Sequence, residues 1–170
     1  TTMWYLQNIH IVLKVTNVNN SKAMGGWLRL AKTIFGHTDF SAIYDKGYHT
    51  GSEFDYANRL SIDVLVAIPD VASHAPDPAF DVKHFRYSKE SDSYTCPAGE
   101  TLTTNENWYN KQNGKSITQM KHYKTSACLT CPFFAQCTKN KKGRLLERSQ
   151  HADLIHENKV RIENHYEIYR

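Results

Sequence analysis

The cysteines of this chain have the spacing of a metal site. Cys96 stands in a Cys-Pro-x-Gly turn, and the other three follow as Cys-x2-Cys-x5-Cys. Two thiolates three positions apart can bind one tetrahedral Zn²⁺, and further thiolates can complete its coordination across a hairpin. We therefore predict a structural zinc site. Its ligands are Cys96, Cys128, Cys131 and Cys137.

Two other interpretations of the cysteines stay open: reduced, half-buried thiols, and disulfides in an exported protein. Residues 1–7 lack the basic and apolar regions of a signal peptide, and no run approaches the roughly 18 apolar residues of a membrane helix. We therefore expect a cytoplasmic protein without a membrane partner, in which metal binding is favoured over disulfides. Four thiolate ligands leave no open coordination position, so catalytic zinc is not expected.

Length and charge set broad bounds on domains and partners. The 170 residues suffice for one domain, or for one domain with a small satellite. Lys and Arg total 21 against 17 acidic residues, and the net charge of +4 is compatible with a polyanionic partner.

A basic run follows the cysteines directly. Its members are Lys139, Lys141, Lys142, Arg144 and Arg148. They form either a solvated face or a set of contacts to nucleic-acid phosphates, which would be independent of base sequence and sensitive to salt.

The first part of the chain carries the periodicity of alternating strands and helices. Strands are predicted at residues 8–16, 40–44 and 62–68, the last of them apolar enough to be buried on both faces. Helices are predicted at residues 22–35, ending at Gly36, and from Ser52 to Leu60, with Ser52 as the cap. This order predicts an α/β layer with parallel neighbouring strands.

The second part begins with a proline-rich loop after Pro69. Short strands are predicted at residues 84–87, 93–96 and 122–125, and the polar segment 105–115 is expected to be mobile. A final amphipathic helix is predicted at residues 149–169. Its expected buried positions are Ile155, Ile162, Tyr166 and Tyr169.

Asp45 follows the strand predicted at residues 40–44. Functional groups of α/β sheets gather at the carboxyl ends of strands. An Asp at such a point also commonly caps a turn, so position alone does not decide its role. Lys46 beside it can contact a phosphate or remain solvated.

Several motifs together resemble those of the DDE transposases of bacterial insertion sequences, in the branch that carries a cysteine-bearing insertion. They are Val15-Thr16-Asn17, Tyr44-Asp45-Lys46-Gly47-Tyr48, Tyr94-x-Cys96-Pro97-x-Gly99 and Cys128-x2-Cys131-Pro132-x4-Cys137-Thr138. The resemblance implies an α/β fold: a partial ribonuclease-H-like mixed sheet with flanking helices, plus a small zinc-ribbon-like insertion. It assigns residues 1–69 to the partial core, 70–148 to the loop and insertion, and 149–170 to a helix returning to the core.

The resemblance also implies metal-dependent DNA cleavage and strand transfer. In this family three carboxylates hold two Mg²⁺ or Mn²⁺ ions, which activate the attacking oxygen and stabilise the leaving one. Asp45 matches the second carboxylate, so the resemblance implies a catalytic, metal-binding role for it. The family's Asp-Gly-Thr and Glu-His-Pro-Phe-Gly segments have no match here. We therefore expect a fragment that neither cuts nor joins DNA by itself.

DNA, as element ends and target, is the partner that the resemblance implies, and a homodimer is left open for the full-length protein. Two other classes of function remain. One is a non-catalytic, zinc-dependent DNA-binding or interaction module, and the other is a hydrolytic nuclease of the same fold.

Overall fold

The computed structural model describes residues 22–69, 75–114 and 116–169. The chain divides into two compact units, Thr1–Ala67 (unit 1) and Ile68–Arg170 (unit 2). Both contain helices and strands, so the predicted α/β class is confirmed. The strand predicted at residues 8–16 and the Val15-Thr16-Asn17 motif lie outside the described residues.

The described part of unit 1 alternates helices and short strands. They are α1 (Met24–Phe35), β1 (Ser41–Tyr44), α2 (Gly51–Arg59) and β2 (Asp63–Val66). β1 and β2 pair in parallel with Ser41 opposite Asp63, and α2 supplies the crossover that parallel strands need. The predicted parallel pairing is confirmed, and β2 is buried at three of its four positions.

The ends of the two helices follow different rules. α1 ends at Gly36, whose φ of 74° lets its N–H donate to the Lys32 carbonyl at 2.9 Å, as predicted. α2 begins at Gly51, after Thr50 in an extended conformation. Ser52 therefore lies inside the helix, and the prediction that it is the cap is wrong.

A buried carboxylate joins the two helices of unit 1. Glu53 in the first turn of α2 is 8% exposed, and its Oε2 accepts a hydrogen bond of 2.6 Å from the Gly25 N–H. That N–H belongs to the first turn of α1, where backbone donors have no partner within the helix. A negative charge there also suits the helix dipole. Glu53 therefore fixes the start of α1 against α2.

Gly25 also leaves room for the ring of Tyr56, because a Cβ at Gly25 would lie 2.7 Å from two atoms of that ring. We predict that Gly25→Ala destabilises the protein by about 1–3 kcal/mol through overpacking. Gly26→Ala is the matched control, since a Cβ there meets nothing within 4 Å. It should stabilise α1 by about 0.5–1 kcal/mol. Urea unfolding followed by circular dichroism measures both, and equal stability of the two variants would contradict the close packing.

Unit 2 is built on an antiparallel sheet. Its strands are β3 (Arg86–Ser88), β4 (Ser93–Thr95), β5 (Thr101–Thr104), β6 (Tyr109–Asn113), β7 (Ser116–Lys124) and β8 (Leu146–Ser149). Their order is β3-β4-β5-β7-β6, and β8 also pairs with β7. Helices α3 (Phe134–Cys137), α4 (Ala152–Asn164) and α5 (Tyr166–Tyr169) complete the unit. β7 is therefore the strand with which β5, β6 and β8 all pair.

Within the segment 105–115, for which mobility is expected, residues Tyr109–Asn113 form strand β6. It pairs with β7 from Tyr109 opposite Met120 to Asn113 opposite Ser116. All five residues of β6 are exposed, and four of them are polar. The sequence therefore lacks the alternation of apolar and polar residues that would predict a strand there. The neighbouring strand supplies the pairing that composition does not predict.

The predicted final helix is shorter and is interrupted between α4 and α5. Ile155 and Ile162 are half-buried, but Tyr166 is 58% exposed and its predicted burial is wrong. The side chain of Tyr169 lies outside the described part of the structure. The fully buried residue of α4 is Asn158, a polar one. No helix in the described residues is long and apolar enough to cross a membrane.

The core of unit 2 adjoins two of the cysteines. Its buried residues are Phe85, Leu102, Tyr123 and Leu146. Partly buried side chains that pack against this core are Tyr87, Tyr94, Cys96 and Cys137. The first and last cysteines of the chain are therefore held by the same apolar cluster.

Asp92, in the turn between β3 and β4, accepts hydrogen bonds from three side chains. The hydroxyls of Tyr87 and Tyr123 donate to its Oδ1 at 2.8 and 2.6 Å, and the Lys121 ammonium donates to Oδ2 at 2.5 Å. Burial acts to raise the pKa of Asp92, but the bonds from Lys121, Tyr123 and Tyr87 outweigh it and lower the pKa to about 2. Since Tyr123 and Lys121 lie on β7, Asp92 ties the β3–β4 turn to that strand.

We predict that Asp92→Asn destabilises unit 2 by about 1–2 kcal/mol at neutral pH, a value reduced because the carboxylate is partly exposed. A lowered pKa in the folded state gives stabilisation above the ordinary value of 3.8, which is lost as pH falls toward about 2. The stability difference between wild type and variant should therefore shrink over that interval, as measured by denaturant unfolding at several pH values.

Glu90→Gln is the control, because Glu90 is an exposed carboxylate in the same turn. It should change stability by no more than about 0.5 kcal/mol. A wild-type advantage over Asp92→Asn that stays constant down to about pH 2 would contradict the ionised network.

Candidate functional site

Cys96 follows β4 directly and begins the turn to β5. Its carbonyl accepts a hydrogen bond from the Gly99 N–H at 2.9 Å, and its own N–H donates to the Glu100 carbonyl at 2.9 Å. Gly99 has a φ of 88°, a left-handed conformation that a side chain would strain. The Cys-Pro-x-Gly sequence therefore forms a tight turn that holds the first thiol at the end of β4.

The Cys-x2-Cys pair forms a similar turn after β7. Cys128 lies in the 3-10 helix Ser126–Thr130, and its carbonyl accepts a hydrogen bond from the Cys131 N–H at 3.3 Å. Thr125 caps this helix, because its Oγ1 accepts from the Ala127 N–H. In both turns the cysteine carbonyl is thus bonded to the N–H three residues later.

Cys137, the last residue of α3, completes a group of four thiols around one cavity. All four cysteines line it, together with core residues that include Phe85 and Leu102. Each cysteine is half-buried, and none forms a disulfide. The cavity has a volume of about 20 Å³, enough for one ion or one water molecule. The structure therefore brings together the four residues that the sequence spacing grouped.

The thiols affect one another electrostatically. Burial raises the pKa of the Cys137 thiol, the other three cysteines act in the same direction, and the Arg144 cation opposes them. Within the described ranges, no group of three or more His, Cys, Asp or Glu side chains has the arrangement of a metal site. The four thiols therefore share a cavity without forming a coordination shell.

Arg144 is buried against the same cavity. Its side chain lines the cavity, its residue is 8% exposed, and its Nη1 donates to the Cys137 carbonyl at 3.2 Å. The guanidinium carbon lies 5.7 Å from the centre of the Phe85 ring. Its Nε is buried without a hydrogen-bond partner among the described residues. The charge of Arg144 is thus placed inside unit 2.

The three lysines of the basic run lie in the same loop but face solvent. Lys139, Lys141 and Lys142 are all exposed. Thr138 Oγ1 accepts from the Asn140 N–H at 3.1 Å, and Asn140 Oδ1 accepts from the Lys142 N–H at 3.0 Å. Such bonds from Thr and Asn side chains to the backbone stabilise tight turns. The loop therefore separates surface lysines from a buried arginine.

Arg148, the last member of the basic run, lies on β8 among fixed neighbours. Its side chain is 14% exposed and forms an ion pair with Asp153 of α4. Its guanidinium carbon lies 3.7 Å from the centre of the Tyr87 ring, and Nη1 donates to the Tyr94 hydroxyl at 3.4 Å. These contacts join β8 to α4 and to the β3–β4 pair.

Asp45 lies directly after β1 and is exposed, as is Lys46. The Asp45 Oδ1 accepts a hydrogen bond from the Lys46 N–H, and Asp45 is the N-cap of the 3-10 helix Lys46–Tyr48. Burial, Tyr48 and Glu53 raise the pKa of the preceding Tyr44 to about 12, so its hydroxyl stays protonated at neutral pH. The structure therefore gives Asp45 a capping role at the carboxyl end of a strand.

Sequence reasoning overlooked Gly143. It has a φ of 93°, and a Cβ there would lie 2.8 Å from the Cys128 Cβ. The loop therefore passes directly against the second cysteine turn at a position where only glycine fits. The signal in the sequence is a glycine between Lys142 and Arg144, since glycine allows a positive φ and a close approach of the backbone.

The comparisons with known proteins bear on this part of the chain. A family model described as "Transposase DDE domain" matches residues 95–169. This segment contains the four cysteines and the whole basic run, whereas Asp45 lies before it. Searches of curated proteins and of solved structures found no match. Residues 95–169 are thus similar to the transposase DDE domain family, which confirms the resemblance to DDE transposases.

Proposed function

We propose that this chain acts in DNA transposition, as part of a DDE transposase whose cysteine-bearing segment binds zinc and contacts DNA. The match over residues 95–169 is the observation that supports this most directly. It covers the four thiols that line one cavity and the exposed lysines of the neighbouring loop. The proposed partner is DNA, both element ends and target.

The proposed architecture has three parts. Residues 1–69 are assigned to a partial ribonuclease-H-like core, which the parallel pairing of β1 and β2 around α2 supports. Residues 70–148 are assigned to a zinc-ribbon-like insertion. The two cysteine turns, at the ends of antiparallel strands, support that assignment. Residues 149–170 are assigned to the helix that returns to the core.

The zinc ligands in this proposal are Cys96, Cys128, Cys131 and Cys137. Four thiols that are not cross-linked and line one cavity match the donor type and number of a structural zinc site. When bound, Zn²⁺ supplies folding free energy by joining the two cysteine turns. The chain's contribution is to hold both turns beside the core, with all four thiols lining one cavity.

We predict about one zinc per chain, measured by metal analysis of the purified protein. Combining Cys128→Ser with Cys131→Ser should abolish zinc binding and lower the stability of unit 2, because two of four ligands are lost. Ser126→Ala, an exposed position in the same turn, is the control and should keep the metal. A zinc-free wild-type protein that is fully folded would rule out the site.

Asp45 is proposed as one carboxylate ligand of the Mg²⁺ or Mn²⁺ pair. Its exposure at the end of a parallel strand and its capped turn support this role. In DDE transposases the metal pair activates the attacking oxygen of the phosphodiester displacement. Asp45 is the only carboxylate of this chain that matches a family motif, and one carboxylate cannot hold two such ions. We therefore propose that the chain binds DNA without cutting it.

The proposed DNA contacts are made by the exposed lysines of the loop, with Lys46 as a further candidate. We predict that changing Lys139, Lys141 and Lys142 together to Gln weakens binding to duplex DNA. The slope of log affinity against log salt should also fall by up to about 3, because fewer counterions are released. Fluorescence anisotropy with a labelled duplex at several salt concentrations measures both effects.

Changing Lys83, Lys89 and Lys159 together to Gln is the control. These lysines are also exposed, and their loss changes the net charge by the same amount. An equal loss of affinity in both triple variants would assign binding to net charge and contradict a defined surface. Arg144 and Arg148 are left out of the test, since both are engaged inside unit 2. Nicking of the duplex in Mg²⁺ or Mn²⁺ that Asp45→Asn abolishes would instead favour a complete nuclease.

A further inference from the structure

Arg144 is buried at the cysteine cavity although the lysines of the same loop are exposed. One of its nitrogens already donates to the Cys137 carbonyl. Its Nε remains buried without a partner among the described residues. A buried N–H left without an acceptor destabilises the folded protein. Because Arg144 lines the cavity with the four thiols, an acceptor within the cavity would satisfy its Nε–H.

The sulfur of a metal-bound thiolate would provide that acceptor. Four thiolates and one Zn²⁺ carry a net charge of −2, and burying that charge is costly without a compensating cation. A guanidinium keeps its charge when buried and presents several N–H donors in fixed directions. Hydrogen bonds from outside the coordination shell orient metal ligands and tune the metal.

We propose that Arg144 is a positioning residue for the thiolate–metal site. In the metal-bound protein its buried charge offsets that of the thiolates, and its Nε–H, which has no partner among the described residues, donates to a cysteine sulfur. This inference rests on the proposed zinc site. On this assignment the lysines of the basic run contact DNA, and Arg144 supports the metal site.

The path of the chain supports this assignment. Gly143 runs against Cys128 so closely that a Cβ would lie 2.8 Å from the Cys128 Cβ. The backbone before it is held by Gly143 N–H donating to the Asn140 carbonyl at 2.9 Å. The residue that follows Gly143 therefore starts beside the second cysteine turn, and Arg144 extends from there to the carbonyl of Cys137.

The test compares metal affinity in Arg144→Gln, Arg144→Lys and wild type, by competition with a chromophoric zinc chelator. Arg144→Gln removes the charge at similar length and should weaken zinc binding by about 10- to 100-fold. Arg144→Lys restores the charge without the Nε and should recover part of the loss. Lys142→Gln, with the same change of net charge at an exposed position of the same loop, should bind zinc like wild type.

A spectroscopic readout separates positioning from folding. In wild type loaded with a spin-active cadmium isotope, the Arg144 Nε–H proton should show scalar coupling to the metal through the sulfur. In Co²⁺-loaded Arg144→Gln, the sulfur-to-metal charge-transfer band should shift, whereas an arginine that only stabilises the fold would leave the band in place.

The outcomes distinguish the two proposals. Wild type that binds neither Zn²⁺ nor Co²⁺ would overturn the zinc site and, with it, the role of Arg144. Wild type that binds zinc tightly, shows no coupling and keeps its affinity and cobalt spectrum in Arg144→Gln would overturn the role of Arg144 alone.

Discussion

Backbone pairing along β7 is the constraint on which unit 2 depends. This nine-residue strand hydrogen-bonds with β5, β6 and β8. Its fully buried Tyr123 belongs to the core and also donates to Asp92. Directly after β7, Thr125 caps the turn that contains Cys128. The register of one strand thus places the core, the β3–β4 turn and the second cysteine turn at once.

The loop between α3 and β8 separates charges by their chemistry. An ammonium is a compact, strongly hydrated charge, so the lysines of this loop stay in solvent. A guanidinium is more weakly hydrated and can lie on an aromatic ring, as Arg144 does at Phe85 and Arg148 does at Tyr87. One basic stretch therefore supplies both an exposed cationic surface and two internal contacts of unit 2.

In unit 1 the packing of helices and strands places Asp45 at the end of β1. The parallel pair β1–β2 is short, and its strands receive support from the helices around them. Glu53 and Gly25 hold α1 and α2 together at a site where both a carboxylate and the absence of a side chain are needed. Asp45 follows β1 directly, and its carboxylate caps the next turn by accepting a hydrogen bond from the Lys46 N–H. Capping and metal binding are compatible uses of that side chain, since a carboxylate has two oxygens.

The sequence by itself determined the features that depend on local spacing. The helix ending at Gly36, the buried strand β2 and the two cysteine turns follow from periodicity, from glycine and from the separation of two cysteines. The family resemblance also followed from motifs alone, and the match over residues 95–169 confirmed it.

Only the tertiary structure decided features that depend on distant partners. Strand β6 has no apolar pattern and forms because β7 lies beside it. The sequence likewise cannot distinguish the buried Arg144 from Lys142, which lies two residues away in the same basic run and faces solvent. Burial is a property of what packs around a residue. For Arg144 the neighbours are Phe85 and Cys137, of which Phe85 lies far earlier in the chain.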